Sequence, residues 1–318
     1  MILFVSEEGV TYGQPERVTP LVRRVVARNP GPYTLHGTCS YIVGEGEVAA
    51  VDPGPDDPEH TQALLGALGP GERVSHILVT HSHTDHSPGA RRLRERTGAP
   101  VYGFGPPVRI DDPDGSRVIF GDPDADPDPA QPPPPRGGDL DFRPDVRLRH
   151  GELIKGSQWT IEAVHTPGHA SNHLCYRILE DRALCTGDHV MGWATTVISP
   201  PDGNLTEYLE SMDGLIEGDR DDLYLPGHGP PIDEPCHFVR ALVAHRHDRD
   251  AQIIGLLEQG LATIAEMTPV MYSSLAKRIW PAAASSVYAH LLRLESLGVV
   301  RAVDGGSLSR AGRIKLSA

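Results

Sequence analysis

Apolar residues along this chain fall into short runs, and several of the runs end where a histidine or an aspartate stands beside a glycine. Residues 40–43 and 48–51 are two such runs about Gly44-Glu45-Gly46, a pattern that predicts a hairpin ending at Asp52-Pro53-Gly54. Ala63, Leu64, Ala67 and Leu68 recur at helical spacing within 58–68, and Gly69-Pro70-Gly71 stops that helix. Strands are predicted over 76–80 and 101–104, with a basic helix over 89–97 between them that Gly98 closes. Further on, 159–165, 174–179 and 183–185 read as strands and 205–216 as a helix; 223–225 reads as a strand running into Pro226-Gly227-His228-Gly229. Short strands separated by helices imply an α/β architecture.

The pattern fails between Asp111 and Asp145, where the chain has ten aspartates and nine prolines. Proline cannot supply ladder donors and this composition cannot bury a core, so a surface loop is expected. An inert insertion is preferred over an anionic lid. After 235 the pattern changes in kind: a long helix over 237–259, a short segment at 263–268, helices over 273–279 and 284–297, and a tail over 299–314 that turns at Asp304-Gly305-Gly306. That is the order of a winged-helix module. The expected organisation is a first domain over 1–235, carrying the 111–145 insertion, and a small winged-helix-like domain over 236–318. Its helix over 284–297 has Val287, Leu291, Leu294 and Leu297 at helical spacing and only Arg293 as a basic interior residue. A helix that reads duplex DNA presents several Arg, Lys, Asn or Gln to a groove. Packing, homodimer formation or a substrate-cleft role is therefore expected, and duplex DNA is not.

Charge separates the two parts further. From Cys236 onward there are ten Lys and Arg against six Asp and Glu, and the first 235 residues hold nineteen against thirty-seven, so −18 of the net −14 sits in the first part and +4 in the second. A strongly acidic domain argues against capture of long polyanions. The four cysteines are scattered without a CxxC pair, which indicates neither a disulfide framework nor a thiolate zinc site. Residues 1–10 have the pattern of neither a signal peptide nor a membrane span, so the cytoplasm is the expected location, with no membrane partner.

The densest chemistry is His81-Ser82-His83-Thr84-Asp85-His86, directly after the apolar run Ile77, Leu78, Val79. In an extended segment His81 and His83 project to the same side and can reach one ion. A turn near Ser87-Pro88 swings Asp85 and His86 toward a second position. Other strand ends add His169, Asp188 and His228, which gives His81, His83 and His169 for one metal and Asp85, His86 and His228 for another, with Asp188 able to bridge them. Nitrogen and oxygen ligands without thiolate suit zinc, and manganese or iron would tolerate the same set. Asp52 is expected to hydrogen-bond a ligand histidine or a water.

The HxHxDH motif and the order of the later ligands resemble the metallo-β-lactamase superfamily. That resemblance implies an αβ/βα sandwich with the metals in a cleft at one edge. Within the superfamily, residues 29–38, Thr195-Thr196-Val197, residues 225–230 and His245-Arg246 with Arg249 and Gln252 are similar to beta-lactamase-like protein 2 and its bacterial relatives. The chain departs from that group at Cys39-Ser40, where Asn-Thr or Asn-Ser is usual, and in the length of its Asp/Pro-rich stretch. Eukaryotic members of the group act as single-strand RNA endonucleases, which makes RNA phosphodiester cleavage one expectation.

The alternative, preferred on the acidic charge of the first domain, is a dinuclear zinc hydrolase of small esters, thioesters or lactones. In either case two Zn²⁺ ions would activate a bridging hydroxide and polarise the scissile group, and Asp85 would orient the nucleophile and carry its proton to the leaving group. Thr195, Thr196, His245 and Arg249 are candidates for substrate contact, the last two on one helix face at i and i+4. A non-enzymatic regulator is the remaining class, and the complete ligand set argues against it.

Overall fold

Among the residues described by the structure, a computed structural model covering residues 2, 4–107 and 138–317, the first half of the chain forms one mixed sheet. Its strands, in spatial as well as chain order, are β1 (Glu16–Arg17), β2 (Val22–Val26), β3 (Cys39–Val43), β4 (Glu47–Val51), β5 (Arg73–Leu78), β6 (Val101–Gly103) and β7 (Val146–Arg147). The first four pair antiparallel, β1–β2 and β3–β4 through short turns and β2–β3 through the 27–38 loop. From β4 onward the pairing is parallel. Helices α1 (Pro58–Gly66) and α2 (Gly89–Thr97) supply the crossovers that parallel pairing requires. Asp57 caps α1 by accepting from the Glu59 N–H, and Gly98, at φ +73°, ends α2.

The second sheet contains β8 (Leu153–Lys155), β9 (Thr160–His165), β10 (Leu174–Ile178), β11 (Ala183–Gly187), β12 (Leu223–Pro226) and β13 (Ile232–Asp233), in the order β13-β12-β11-β10-β9-β8. Only β11 and β12 pair parallel here, joined by α3 (Leu205–Ile216), which Asn204 caps. Residues from the two inner faces, among them Tyr41, Leu78, Ile161, Tyr176 and Leu225, form the core between the sheets. Leu64, Ala90 and Leu93 cover the outer face of the first sheet, and Tyr208, Met212, Phe238 and Leu242 that of the second. The result is the αβ/βα sandwich that the resemblance implied. Trp159, 1% exposed, is its largest fully buried side chain, and its ring lies so close to Gly44 that a Cβ there would come within 2.2 Å. The β3–β4 turn therefore accepts only glycine at that position.

Helix α4 (Pro235–Glu258) belongs to both halves of the molecule. Phe238, Val239 and Leu242 pack on the second sheet, while Ile253 and Leu256 enter a separate core with α5 (Ile264–Met271), α6 (Trp280–Ser296), β14 (Val300–Ala302) and β15 (Ile314–Leu316). The wing strands pair antiparallel, Val300 opposite Leu316. One expectation shifts here. The short segment predicted at 263–268 is the helix α5, because Thr263 and Glu266 form a reciprocal capping box that starts it at Ile264, and the helix predicted over 273–279 is reduced to a 3₁₀ turn at Lys277–Ile279. Val287, Leu291 and Leu294 are buried in this core, whereas Leu297 is 58% exposed. Among the described residues no helix is long and apolar enough to cross a membrane. Of the Asp/Pro-rich segment, 111–137 lies outside the described residues; within 138–145, Phe142 is buried against the outer face of the first sheet.

Candidate metal centre

Strand register brings the chemistry to one edge. Val51 lies opposite Leu78 in the parallel β4–β5 pair, so Asp52 and the Thr80-His81 stretch leave the sheet side by side. In the second sheet Gly187 lies opposite Pro226, which sets Asp188 beside Gly227-His228. The sheets are tied at this same edge: the Tyr176 hydroxyl donates to Val79 O at 2.8 Å, the Tyr41 hydroxyl to Pro226 O at 2.7 Å, and Leu174 N to Thr80 O at 2.7 Å.

Two groups of ligand atoms result, each within 4.8 Å: His81, His83, His169 and Asp188, and then Asp85, His86 and His228. In the first, Nδ1 of His83 stands 2.9 Å from Nε2 of His81 and 3.0 Å from Nε2 of His169. In the second, Oδ2 of Asp85 is 3.1 Å from Nε2 of His228 and 3.5 Å from Nε2 of His86. Asp188 faces both groups. Its Oδ1 is 3.3 Å from Nε2 of His86 and of His228, and its Oδ2 is 3.7 Å from Nε2 of His169.

The outer nitrogens of these rings are held from behind. His81 Nδ1 faces the Thr80 hydroxyl at 2.9 Å, His169 Nδ1 faces Val197 O at 2.8 Å, and His228 Nδ1 faces Gly37 O at 3.1 Å. His86 Nδ1 lies 2.8 Å from Oδ2 of Asp52, a residue with φ +47°. Aspartate tolerates that left-handed turn better than most residues, and here it aims a carboxylate that also accepts from Thr80. Ser40 braces the same residue by donating to Asp52 O and accepting from His60 Nε2. Cys39 directs its thiol toward Gly229 O, next to His228. The two positions that depart from the family pattern thus lie directly behind the second group.

Nε2 of His86, Nε2 of His228 and Oδ1 of Asp188 are buried without a hydrogen-bond partner. Buried polar atoms are nearly always paired, so three of them converging call for a ligand. The electrostatics agree. Burial pushes His81 well below the ordinary histidine range and His83 down to about 3, which leaves neutral imidazoles with lone pairs to donate. At His86 and His228 burial opposes the charge, but Asp85 and Asp188 outweigh it, raising His86 well above its usual value and His228 to about 10. A field that favours cations at this spot also favours divalent metal. The donor set fits divalent metal.

The candidate substrate contacts fare differently. Thr196 is 2% exposed and its hydroxyl donates to Asp188 O and His189 O, so it braces the ligands and has no surface for a substrate. Arg249 donates to Gln252 Oε1 and Met271 O and lies over the Tyr272 ring, which fastens it to α5. His245 is half-buried, its pKa lowered to about 4 by burial and then by Arg249 and Arg246. Thr195 is half-buried beside Thr196. The sequence gives no supporting role to Thr80, Val197 or Gly37, although the last two lie within the stretches that carry the family resemblance. Two of the three act through main-chain carbonyls, for which residue identity carries no signal.

Comparison with known proteins agrees with this geometry. The profile of the Metallo-beta-lactamase superfamily matches residues 32–228, and that of the Beta-lactamase associated winged helix domain matches 263–307. The Beta-lactamase-like protein 2 homolog of Drosophila melanogaster is 30% identical over 297 residues, covering 90% of this chain and 91% of that protein. An Atrochrysone carboxyl ACP thioesterase of Cryptosporiopsis sp. is 30% identical over 249 residues, covering 77% of this chain and 65% of that one. A Beta-lactamase domain protein from Burkholderia ambifaria has the same fold, with a TM-score of 0.71 at 23% identity over 96% of this chain and 95% of its own.

Proposed function

The chain belongs to the metallo-beta-lactamase superfamily and is one of its hydrolases, and from that premise we propose that it holds two zinc ions and cleaves a small ester, thioester or lactone. His81, His83 and His169 would hold one ion and Asp85, His86 and His228 the other, with Asp188 between them. The observation that carries this reading is the convergence of unpartnered, buried Nε2 atoms of His86 and His228 on Oδ1 of Asp188. Ions bound there would supply Lewis acidity toward an acyl oxygen and bring the ionisation of water to about pH 7.

The remaining work falls to the chain. Asp85 is the carboxylate with access to solvent, its side chain 22% exposed against 10% for Asp188. Its Oδ atoms can take a proton from the attacking water and return it to the departing oxygen or sulfur. Asp52 and the carbonyls of Val197 and Gly37 keep three ring planes fixed, so that no reorganisation is needed at the moment of reaction.

Charge favours a compact substrate over a polymer. Three of the four arginines of α2, on the helix that follows the ligand cluster, face carboxylates: Arg91 and Arg92 share Asp56, and Arg94 pairs with Asp145. Across the first sheet Arg23 pairs with Glu72 and Arg73 with Glu47. Arginines that already face carboxylates make a poorer track for successive phosphates. An acyl-thioester substrate is in keeping with the similarity to the thioesterase of Cryptosporiopsis sp.. Single-stranded RNA is the second reading; it rests on the resemblance of residues 29–38, 195–197 and 225–230 to the beta-lactamase-like protein 2 group.

A rate panel separates the two. Zinc-loaded protein is assayed on an acyl-pantetheine thioester, a lactone, bis-p-nitrophenyl phosphate and a single-stranded RNA. The thioester or lactone should be turned over fastest. RNA cleavage that exceeds both, and falls steeply with added salt, would replace the first reading by the second.

A further inference from the structure

We propose that Arg246, on the helix shared by the two cores, is a positioning residue that fixes His169 and Asp188 through the 195–197 loop. Arg246 lies midway along α4, between the residues that pack on the second sheet and those that enter the C-terminal core. It is 3% exposed, and Nη2 donates to Thr196 O at 2.5 Å while the guanidinium lies 5.2 Å from the centre of the Tyr208 ring. That loop touches both ligands. The Thr196 hydroxyl donates to Asp188 O at 2.8 Å, and the next carbonyl, Val197 O, is the 2.8 Å partner of His169 Nδ1. One guanidinium therefore holds the peptide from which the backbone of Asp188 and the ring plane of His169 are both set.

A role in adhesion alone explains this poorly. Burying a guanidinium carries a desolvation cost, and a methionine or leucine of similar reach would cement the same helix without it. Arg246 also donates to a carbonyl in place of a carboxylate, so no ion pair is formed through this bond. What the charge adds is a strong, directional hold on one peptide oxygen. A turn further along α4, Asp250 bonds His290 Nδ1 at 2.7 Å and pairs with Arg293, both on α6. The C-terminal domain thereby sets the height at which Arg246 meets the ligand loop. This gives that domain a part in the metal site that requires no nucleic acid.

The inference rests on the ligand assignment above, and the test keeps the two apart. Cobalt-loaded protein is titrated with a chelator while the visible spectrum follows each ion, for wild type, Arg246→Met, Arg246→Lys, His169→Ala and Arg177→Met. Arg177, buried against Asp221 and Glu162, serves as a control for lost stability away from the loop. Arg246→Met should weaken the ion at His81, His83 and His169 by about 10- to 100-fold, the range for groups that orient metal ligands. Arg246→Lys should recover part of that loss, and Arg177→Met should leave it unchanged while lowering the melting temperature. Wild-type cobalt affinity in folded Arg246→Met, or an equal loss in Arg177→Met, would overturn the proposal. If His169→Ala itself retains both ions, the ligand assignment is what fails.

Discussion

Thr80 is bound twice to Asp52: its backbone N–H and its hydroxyl each donate to a different oxygen of that carboxylate, both at 2.7 Å. The two residues end neighbouring parallel strands, so the contact is a direct result of the β4–β5 register. The carboxylate also faces His86 Nδ1, and so a strand-end pairing decides the orientation of a ligand ring.

Removing that carboxylate should loosen the second ion selectively. Asp52→Ala is expected to lower affinity at the Asp85, His86 and His228 site by about 10- to 100-fold, with Asp52→Asn intermediate. Chelator competition on each variant measures it, and equal affinity in Asp52→Ala would show that His86 needs no support from behind.

Gly227 is a second sensitive point, because a Cβ there would stand 2.6 Å from Oδ1 of Asp188 and 2.7 Å from Cε1 of His86. Gly227→Ala should therefore displace the Asp188 carboxylate and abolish turnover, although the change adds a single methyl. Metal analysis of the folded variant showing full occupancy and normal turnover would contradict this.

Much of this candidate site was legible in the sequence because histidines and aspartates stand at the ends of apolar runs, densely at 81–86 and beside glycines at 169, 188 and 228. Strand β2 was not legible. Arg23 and Arg24 interrupt its apolar pattern, yet all five residues are buried because Arg23 pairs with Glu72 and Arg24 with Glu7 and Glu16. Only tertiary partners make those charges admissible inside a sheet. The contacts of Arg249 with Met271 and Tyr272 were not legible for a related reason: helical spacing says which residues share a face, and it does not say what covers that face. Helix α5 could have been found, since Thr263 and Glu266 carry the capping-box spacing.

His60 should make stability fall in mild acid. Burial lowers its pKa from about 6.5 to about 4, so between those values the unfolded chain binds a proton that the folded one does not. The stability is present above pH ~6.5 and declines toward pH ~4, by roughly 3 kcal/mol at most. His60→Gln, which keeps a donor for Ser40, should flatten the difference between urea midpoints at pH 7.5 and 5; an unchanged slope would assign the acid sensitivity elsewhere.

Asp85→Asn keeps shape and removes basicity. If Asp85 carries the proton, kcat should fall by about 10²- to 10⁴-fold with the fold intact and metal still bound. Near wild-type turnover with both ions present would exclude that role.

The claim on which the rest depends is that two groups of side chains each hold an ion. Native mass spectrometry of protein purified under zinc-replete conditions, together with elemental analysis, tests it directly. The expected result is two zinc ions per chain, reduced to one by His81→Ala and, at the other site, by His228→Ala. One ion or none in the wild-type protein, with the fold intact, would contradict the account.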